Sequence, residues 1–488
     1  MKSSILIVIS VLSLFYGSAD LFSQYKGELY NIEQLRNDFA VFRSALEEAH
    51  PGLYFYKTKN TIDSIFSSAY NSITELMTAN EFTILLSKVT SQIGDGHLHV
   101  IPPEVLIDTL ENGTTTIPFK VYCQDDKLYV MRNYSALQDD EFLGSEIISI
   151  NGHFTSDFVK EFLSIFPSDG NNITHKYRLL SSSRIFTRFY FILFGYADSY
   201  RVEYKPAGSN EIRSNDLKGL AFDDLNAINK KRYPETADQK PIEFITEKSK
   251  KYGYLKIASF NVAEYKKHDL DYQVFLENAF KTMEDEKIDN LILDLRNNGG
   301  GTDDYGKILY SFFTNSDFTY YKSLRMNKDS FAFFKYTEIP GNKAPEGMLE
   351  PNNEGSYDVV HHPNLGVQQH AKHVYSGQVY VLINGASFST TSEFLSIMHN
   401  KSNAVFIGEE SGGGYYSNCS GLIPEMTLPD SKVRVNIPLM HYSMDVYGYP
   451  YNDKGVVPNH FVQPTINDII NNIDTELDFT KELINGQH

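Results

Sequence analysis

The chain has 488 residues, of which 41% are hydrophobic and 22% are charged, and its formal net charge is -18. This length allows more than one domain with a substantial core, and the composition is that of a soluble globular protein. The negative charge argues against a nucleic-acid partner, because neutralising phosphates requires clustered lysine and arginine.

The first residues have the pattern of a secretory signal peptide. Lys2 precedes an apolar run from Ile5 to Phe15, and the small residues Gly17-Ser18-Ala19 follow. This pattern predicts a signal peptide over residues 1–19 and export to the periplasm or the cell exterior. A membrane anchor is the alternative, but the run is too short to span a bilayer comfortably. No later stretch is apolar and long enough for a transmembrane helix.

Only two cysteines occur, Cys123 and Cys419. An exported protein could pair them, although they fall in different predicted domains. Two cysteines also argue against a cysteine-ligated metal site.

The region 20–110 has helical periodicity. Leu35, Phe39, Phe42 and Leu46 share one helical face, and a second apolar face runs from Phe82 to Ile93. Asn80 is the predicted N-cap of this second helix. The helix is expected to end at Gly94-Asp95-Gly96-His97.

A β-rich unit is predicted over residues 117–205, beginning with a hairpin that turns at Asp125-Asp126. Within it, Leu143-Gly144-Ser145-Glu146-Ile147-Ile148-Ser149-Ile150-Asn151-Gly152 resembles the loop-to-strand signature of PDZ domains, which bind peptides at a sheet edge. The alternative is an ordinary hairpin with an Asn-Gly turn. Residues 206–241 are polar and rich in turn-forming residues, so they are interpreted as a linker.

Strand and helix patterns alternate over residues 242–470, which predicts an α/β domain with a mainly parallel sheet. The aromatic-rich segment 314–376 is interpreted as a flap or rim over the site. Residues 471–488 are interpreted as a C-terminal tail.

Two predicted strands end at turns that carry candidate chemistry. One leads into Asp294-Leu295-Arg296-Asn297-Asn298-Gly299-Gly300-Gly301, and the other into Gly385-Ala386-Ser387-Phe388-Ser389. Carboxyl ends of parallel strands meet at one sheet edge, so a serine hydroxyl and a row of glycine amides would meet there. We interpret Ser389 as a nucleophile and the N–H groups of Gly299, Gly300 and Thr390 as an oxyanion hole.

Other interpretations of these turns are available. A serine at this position is more often a helix N-cap. The glycine row could be a phosphate loop, but no Gly-Lys-Ser/Thr follows it. Asp294 and Arg296 are predicted to brace their loop internally.

The two turns and the later Ile407-Gly408-Glu409-Glu410-Ser411-Gly412-Gly413-Gly414 together resemble the C-terminal-processing (tail-specific) protease family, whose order of parts matches residues 117–460. The resemblance implies a ClpP/crotonase-like core beside a PDZ domain. Aligned through the strand, Ser389 falls on the family nucleophile; aligned backwards from Glu393, Thr390 does. Gly414 stands where many members have a catalytic lysine, so the chain is more similar to the tricorn-like and interphotoreceptor-retinoid-binding-protein-like branch.

That branch takes its base from a segment resembling Asp-x-His, which here is Asp95-Gly96-His97. The resemblance therefore implies His97 as general base; the alternative is a surface-loop histidine. It also implies an orienting acid near Gly455-Val456-Val457-Pro458, where Asp453 is displaced by one position. The alternative for Asp453 is a turn residue.

These observations predict an exported serine endopeptidase that acts through an acyl-enzyme on peptides or unfolded proteins, including their C-termini. No metal or organic cofactor is required. A catalytically inactive peptide-binding relative and an esterase-like acyl hydrolase remain the alternatives. The sequence does not specify the oligomeric state.

Overall fold

The computed structural model describes residues 28–113, 115–234, 239–247, 252–339 and 347–486. The predicted signal peptide, residues 1–19, lies outside these ranges. Among the described residues, no helix combines the length and the apolar character needed to cross a membrane.

The N-terminal region is helical, as predicted. Its elements are β1 (Leu29–Tyr30), α1 (Ile32–Ala49), α2 (Lys59–Asn71), β2 (Met77–Thr78), α3 (Ala79–Ile93), β3 (His99–Ile101) and α4 (Glu104–Gly113). The N-cap of α3 is Thr78 and not Asn80, because Thr78 and Glu81 form a reciprocal capping box. Gly94 ends α3 in the left-handed conformation, with φ 86°, and turns the backbone toward His97.

The second unit is an antiparallel sheet covered by helices. Its elements are β4 (Phe119–Gln124), β5 (Lys127–Asn133), α5 (Asp139–Phe142), β6 (Glu146–Ile150), β7 (His153–Phe154), α6 (Thr155–Ile165), α7 (Ile173–Leu180), α8 (Ser183–Phe194), β8 (Ser199–Lys205), β9 (Arg213–Lys218) and α9 (Phe222–Arg232). The strand order is β4-β5-β6-β8-β9, and β7 pairs with β6. The predicted hairpin turns at Asp125 and Asp126, both with positive φ. A PDZ-like peptide groove in this unit stays a prediction.

The linker interpretation of residues 206–241 is wrong over much of its length. β9 pairs antiparallel with β8 along its whole length, and α9 follows it. The segment is polar because β9 is an edge strand with only Leu217 buried, and a solvated edge resembles a linker in composition.

The third unit contains the predicted mainly parallel sheet. Its elements are β10 (Ile242–Glu247), β11 (Tyr252–Ile257), α10 (Val262–Lys267), α11 (Tyr272–Glu286), β12 (Asn290–Asp294), α12 (Asp303–Ser311), β13 (Phe318–Thr319), β14 (Tyr321–Met326), β15 (Leu349–Pro351), β16 (Tyr357–Val359), β17 (Val367–Gln368), β18 (Gln378–Ile383), α13 (Thr390–Lys401), β19 (Val405–Gly408), β20 (Ser417–Ser420), β21 (Glu425–Thr427), β22 (Arg434–Asn436), β23 (Met440–Met444), β24 (His460–Phe461), α14 (Ile466–Ile470) and α15 (Thr475–Ile484). The strand order is β10-β11-β12-β18-β19-β24; every neighbouring pair is parallel except β10-β11.

Two segments contribute more structure than the sequence predicts. Within 314–376, strands β14, β15 and β16 join β20 and β23 in a second sheet, so this segment is not only a flap. The predicted tail 471–488 contains α15, whose Leu477 and Phe479 pack against buried residues of the parallel sheet.

The N-terminal helices and the third unit share one hydrophobic core. β3 also pairs with β22, which fixes the backbone immediately after His97 against the third unit. The second unit has a core of its own. The fold thus brings the loop at residues 94–98 to the sheet although about two hundred residues separate them in sequence.

Candidate active site

The two turns predicted to carry the chemistry lie side by side, because β12 and β18 are adjacent parallel strands. The Asn297 backbone N–H donates to Asn384 Oδ1, and Asn384 Nδ2 donates back to Asn297 Oδ1, both at 3.0 Å. The Phe388 N–H donates to the Asn298 carbonyl at 3.1 Å. These bonds hold the glycine turn and the serine turn in a fixed relation.

Ser389 lies between the end of the β18 turn and the first residue of α13. Its backbone has φ 56° and ψ -129°, a conformation that a residue with a side chain rarely adopts. Such a strained strand-to-helix turn projects a serine hydroxyl away from the sheet edge, as in the nucleophile elbows of α/β-hydrolases. The residue is half-buried, so the hydroxyl is not sealed inside the core.

His97 is in contact with this hydroxyl. Its Nε2 lies 3.1 Å from Ser389 Oγ, within hydrogen-bond distance. The His97 ring stacks on Phe388 with ring centroids 4.6 Å apart, and Phe388 in turn stacks on His175 at 4.3 Å. The serine turn therefore supplies both the hydroxyl and the aromatic surface against which the imidazole rests.

Electrostatics favour the neutral form of His97. Burial lowers the pKa of its imidazole below the ordinary value, and the negative charge of Asp95 opposes this shift only in part. A neutral imidazole next to a hydroxyl can accept its proton, which is the state that a general base requires.

Of the three predicted oxyanion donors, two have free amides. The Gly300 N–H donates to Asn298 Oδ1 at 3.0 Å and is thus occupied. For the N–H groups of Gly299 and Thr390, the described part of the protein provides no acceptor. Gly300 matters in another way, because a Cβ there would lie 2.8 Å from Ser389 Cβ and 2.9 Å from the Thr390 nitrogen. Its missing side chain allows the two turns to approach each other.

The structure does not bring Asp453 to His97. The Asp453 carboxylate accepts from Asn171 Nδ2 at 2.6 Å, and its carbonyl accepts from the Asn171 N–H at 3.1 Å. The predicted orienting role is therefore wrong in this geometry. Its side chain lies instead against the loop that follows α6.

Two other carboxyl groups lie near the His97 ring. Oxygens of Asp95 and Asp169 and a ring nitrogen of His97 all lie within 4.8 Å of one another. Asp169 accepts the N–H groups of Gly96 at 2.7 Å and Gly414 at 2.8 Å. Burial, and then the charge of Asp95, raise the pKa of Asp169 to about 7. No hydrogen-bond partner within the described ranges faces His97 Nδ1.

The remaining polar residues of the motifs are structural. The Ser387 hydroxyl donates to the Leu295 carbonyl, and the Ser392 hydroxyl donates to the Ser387 carbonyl. The Thr390 hydroxyl donates to the Gly301 carbonyl, which leaves Ser389 as the hydroxyl that faces His97. Arg296 braces its loop through Asp294, as predicted, and also binds Asp474 next to α15.

The cysteines are not paired, and both are buried. Two groups bring together atoms of the kind that ligate metals: His50, Asp95 and Cys419 form one, and Asp95, His97 and Asp169 form the other. In the first, His50 Nε2 and Asp95 Oδ2 already lie 2.9 Å apart and face each other. In the second, both Asp169 oxygens accept backbone N–H groups. Neither group therefore supplies three uncommitted ligands.

Sequence reasoning missed Asp169, Phe388 and His175 as neighbours of the base. Asp169 and His175 lie on either side of the start of α7, in a unit assigned to peptide binding. Phe388 was part of the serine motif, but nothing in the pattern indicated a stacking role. The turn-forming residues Ser168-Asp169-Gly170 were the only local pattern that could have drawn attention to Asp169.

Residues 251–461 match the family model described as peptidase family S41. No curated protein sequence shows a significant match to the chain.

Solved structures with the same fold include mature CPAF in complex with lactacystin, at 14% identity and TM-score 0.63, covering 93% of this chain and 99% of that one. A further structure of mature CPAF matches at 15% identity and TM-score 0.60, covering 93% and 98%. At such identities the likeness shows the fold alone.

The matched segment runs from the first parallel strand to the last and contains both turns of the site. Residues 251–461 therefore have the sequence of an S41, or C-terminal-processing, peptidase domain, and the protein is a serine-type peptidase.

Proposed function

We propose that the protein is an exported serine endopeptidase in which Ser389 is the nucleophile and His97 is the general base. The observation that carries the proposal is the 3.1 Å contact between Ser389 Oγ and His97 Nε2. This contact joins residues 292 positions apart, and it occurs at a strained turn beside unoccupied backbone donors. Together these are the parts that acyl transfer requires.

In the proposed mechanism, Ser389 Oγ attacks the carbonyl carbon of the scissile peptide while His97 Nε2 accepts the hydroxyl proton. The N–H groups of Gly299 and Thr390 donate to the oxygen that becomes negative, and the N-terminus of α13 favours negative charge there. When the carbon–nitrogen bond breaks, His97 returns the proton to the leaving amine. A water molecule, deprotonated by His97, then hydrolyses the acyl-enzyme in the same way.

The substrates that we propose are peptides and unfolded protein segments, including the C-termini of proteins. The basis for the C-terminal preference is the sequence resemblance of the Leu143–Gly152 motif to the loop-to-strand signature of PDZ domains. Export rests on the pattern of residues 1–19.

A fluorophosphonate probe tests the nucleophile and the base directly. We expect labelling of the wild-type protein at the peptide that contains Ser389, and loss of labelling in both Ser389→Ala and His97→Ala. Ser396→Ala is a matched control, because this buried serine lies two turns further along α13 and its hydroxyl has no partner among the described residues. Folded wild-type protein that does not react would favour the inactive peptide-binding alternative.

Substrate class is tested with internally quenched peptides and matched ester substrates. We expect cleavage of the peptides, and faster cleavage when the C-terminus is a free carboxylate than when it is an amide. Turnover of esters alone would favour the esterase alternative. Equal rates for the carboxylate and the amide would remove the C-terminal preference while leaving the peptidase assignment intact.

A further inference from the structure

His50 is a buried histidine at the C-terminal end of α1, outside every motif that the catalytic proposal uses. Its backbone N–H closes α1 by donating to the Leu46 carbonyl, and its own carbonyl accepts from Asn327 Nδ2 at 3.2 Å. The backbone of His50 is therefore fixed on both sides. Its ring extends from this anchored position toward the loop that carries His97.

The ring lies against the Asp95 carboxylate in an enclosed polar contact. His50 Nε2 lies 2.9 Å from Asp95 Oδ2, and the exposed fractions of the two side chains are 0% and 6%. Burying a carboxylate is costly, and the loss of its polar neighbour leaves its charge uncompensated. A buried carboxylate at this position therefore depends on the histidine.

The other oxygen of the same carboxylate holds the catalytic loop. Asp95 Oδ1 accepts the backbone N–H of His97 at 2.7 Å. Asp169 holds the preceding residue, because its Oδ1 accepts the Gly96 N–H at 2.7 Å. A Cβ on Gly96 would lie 2.8 Å from the Phe388 ring, so the loop has little room to move on that side.

The charge distribution fits this arrangement. Burial acts to raise the pKa of Asp95, but its interaction with the His50 side chain, together with the hydrogen bond from the His97 backbone N–H, holds it below the ordinary value. Burial and the charge of Asp95 raise the pKa of Asp169 to about 7, and only backbone N–H groups oppose that shift. His50 thus keeps Asp95 the ionised member of the two neighbouring carboxyl groups.

We propose that His50 is a positioning residue for the base: through the Asp95 carboxylate, it fixes the backbone of His97 so that Nε2 stays within reach of Ser389 Oγ. This inference rests on the proposed function of Ser389 and His97. It assigns to the Asp95–His50 pair the support of the base that the sequence attributed to Asp453. His50 does not touch the reacting atoms, so its effect passes through the geometry of the loop.

The test compares His50→Leu, which cannot bond to Asp95, with His50→Gln, whose side-chain amide can still donate to Asp95 Oδ2. We expect kcat and the fluorophosphonate labelling rate of His50→Leu to fall about 10- to 100-fold, the range seen when a supporting residue is lost or a reacting group shifts by about 1 Å. We expect KM to change little, and His50→Gln to recover most of the rate.

His399→Leu is the matched control, because it removes a half-buried histidine whose Nδ1 bonds to the Tyr415 hydroxyl, away from the loop. This variant should lose thermal stability without a selective loss of kcat. A folded His50→Leu protein that labels at the wild-type rate, or loses no more rate than His399→Leu, would overturn the inference.

A double-mutant cycle covers the case in which His50→Leu does not fold. If His50 acts through Asp95, His50→Ala, which also removes the contact with Asp95, should be no slower in combination with Asp95→Asn than Asp95→Asn alone; additive losses would contradict this. Failure of the proposed function can be told apart from failure of this inference. In that case the wild-type protein would not be labelled at Ser389, or His97→Ala would still be labelled.

Discussion

Gly300→Ala tests whether catalysis requires the close approach of the glycine turn and the serine turn. Gly300 has φ 93°, a left-handed conformation that costs an alanine about 1–2 kcal/mol. The added Cβ would lie 2.8 Å from the Phe388 carbonyl oxygen and from Ser389 Cβ. To reach an ordinary contact of 3.4 Å, the turns must separate by about 0.6 Å, the difference between these two distances.

A displacement of this size would change the distance and the angle at which Ser389 Oγ approaches the substrate carbonyl carbon. Because a shift of about 1 Å can cost about 100-fold in rate, we expect kcat/KM of Gly300→Ala to fall on the order of 10- to 100-fold. The melting temperature should fall as well. The assays are hydrolysis of a quenched peptide, the rate of fluorophosphonate labelling, and thermal unfolding.

Gly299→Ala is the control, because it makes the same change one residue earlier. Gly299 does not have positive φ, and a Cβ there would meet no atom within 4 Å. Both substitutions keep the backbone N–H, so a difference between them reports sterics and not the loss of a donor. Wild-type kcat/KM in Gly300→Ala, or equal losses in the two variants, would refute the reasoning.

Three further predictions concern the base, its aromatic support and the C-terminal helix. Because burial lowers the pKa of His97 and its neutral form is the base, kcat/KM should fall with decreasing pH at a midpoint below the ordinary histidine value of 6.5; a midpoint above 6.5 would contradict this. Phe388→Leu should reduce the labelling rate of Ser389 and destabilise the fold by about 1 kcal/mol through lost ring stacking, measured by denaturant unfolding; an unchanged labelling rate would show that the stack does not orient His97. Arg296→Ala leaves Asp294, Asp474 and Glu476 without their shared cation, so unfolding should become easier by about 3–5 kcal/mol and hydrogen exchange in α15 should accelerate; an unchanged exchange rate would show that α15 is held by apolar contacts alone.

The sequence predicted most of the parallel sheet, because buried strands and the turns after them leave a local pattern. β12 ends at Asp294 and β18 ends at Ile383, next to the turns predicted to follow them, and α13 begins directly after Ser389. The sequence did not reveal the polar strand at the edge of the second unit's sheet. The strand β9 has the composition of a linker because one face of an edge strand is solvated and the partner strand is not visible in the local pattern.

By itself, the sequence determined which turns carry chemistry, since glycine rows and a serine after a strand are local signals. Only the tertiary structure decided which groups meet there. His50 and Asp169 come from segments on either side of the loop at His97, and their contacts with Asp95 and Gly96 depend on packing and not on spacing. The same packing directs Asp453 toward Asn171 and leaves the Gly300 amide occupied. Side-chain direction and the occupancy of a donor are set by neighbours distant in sequence, so no local pattern can specify them.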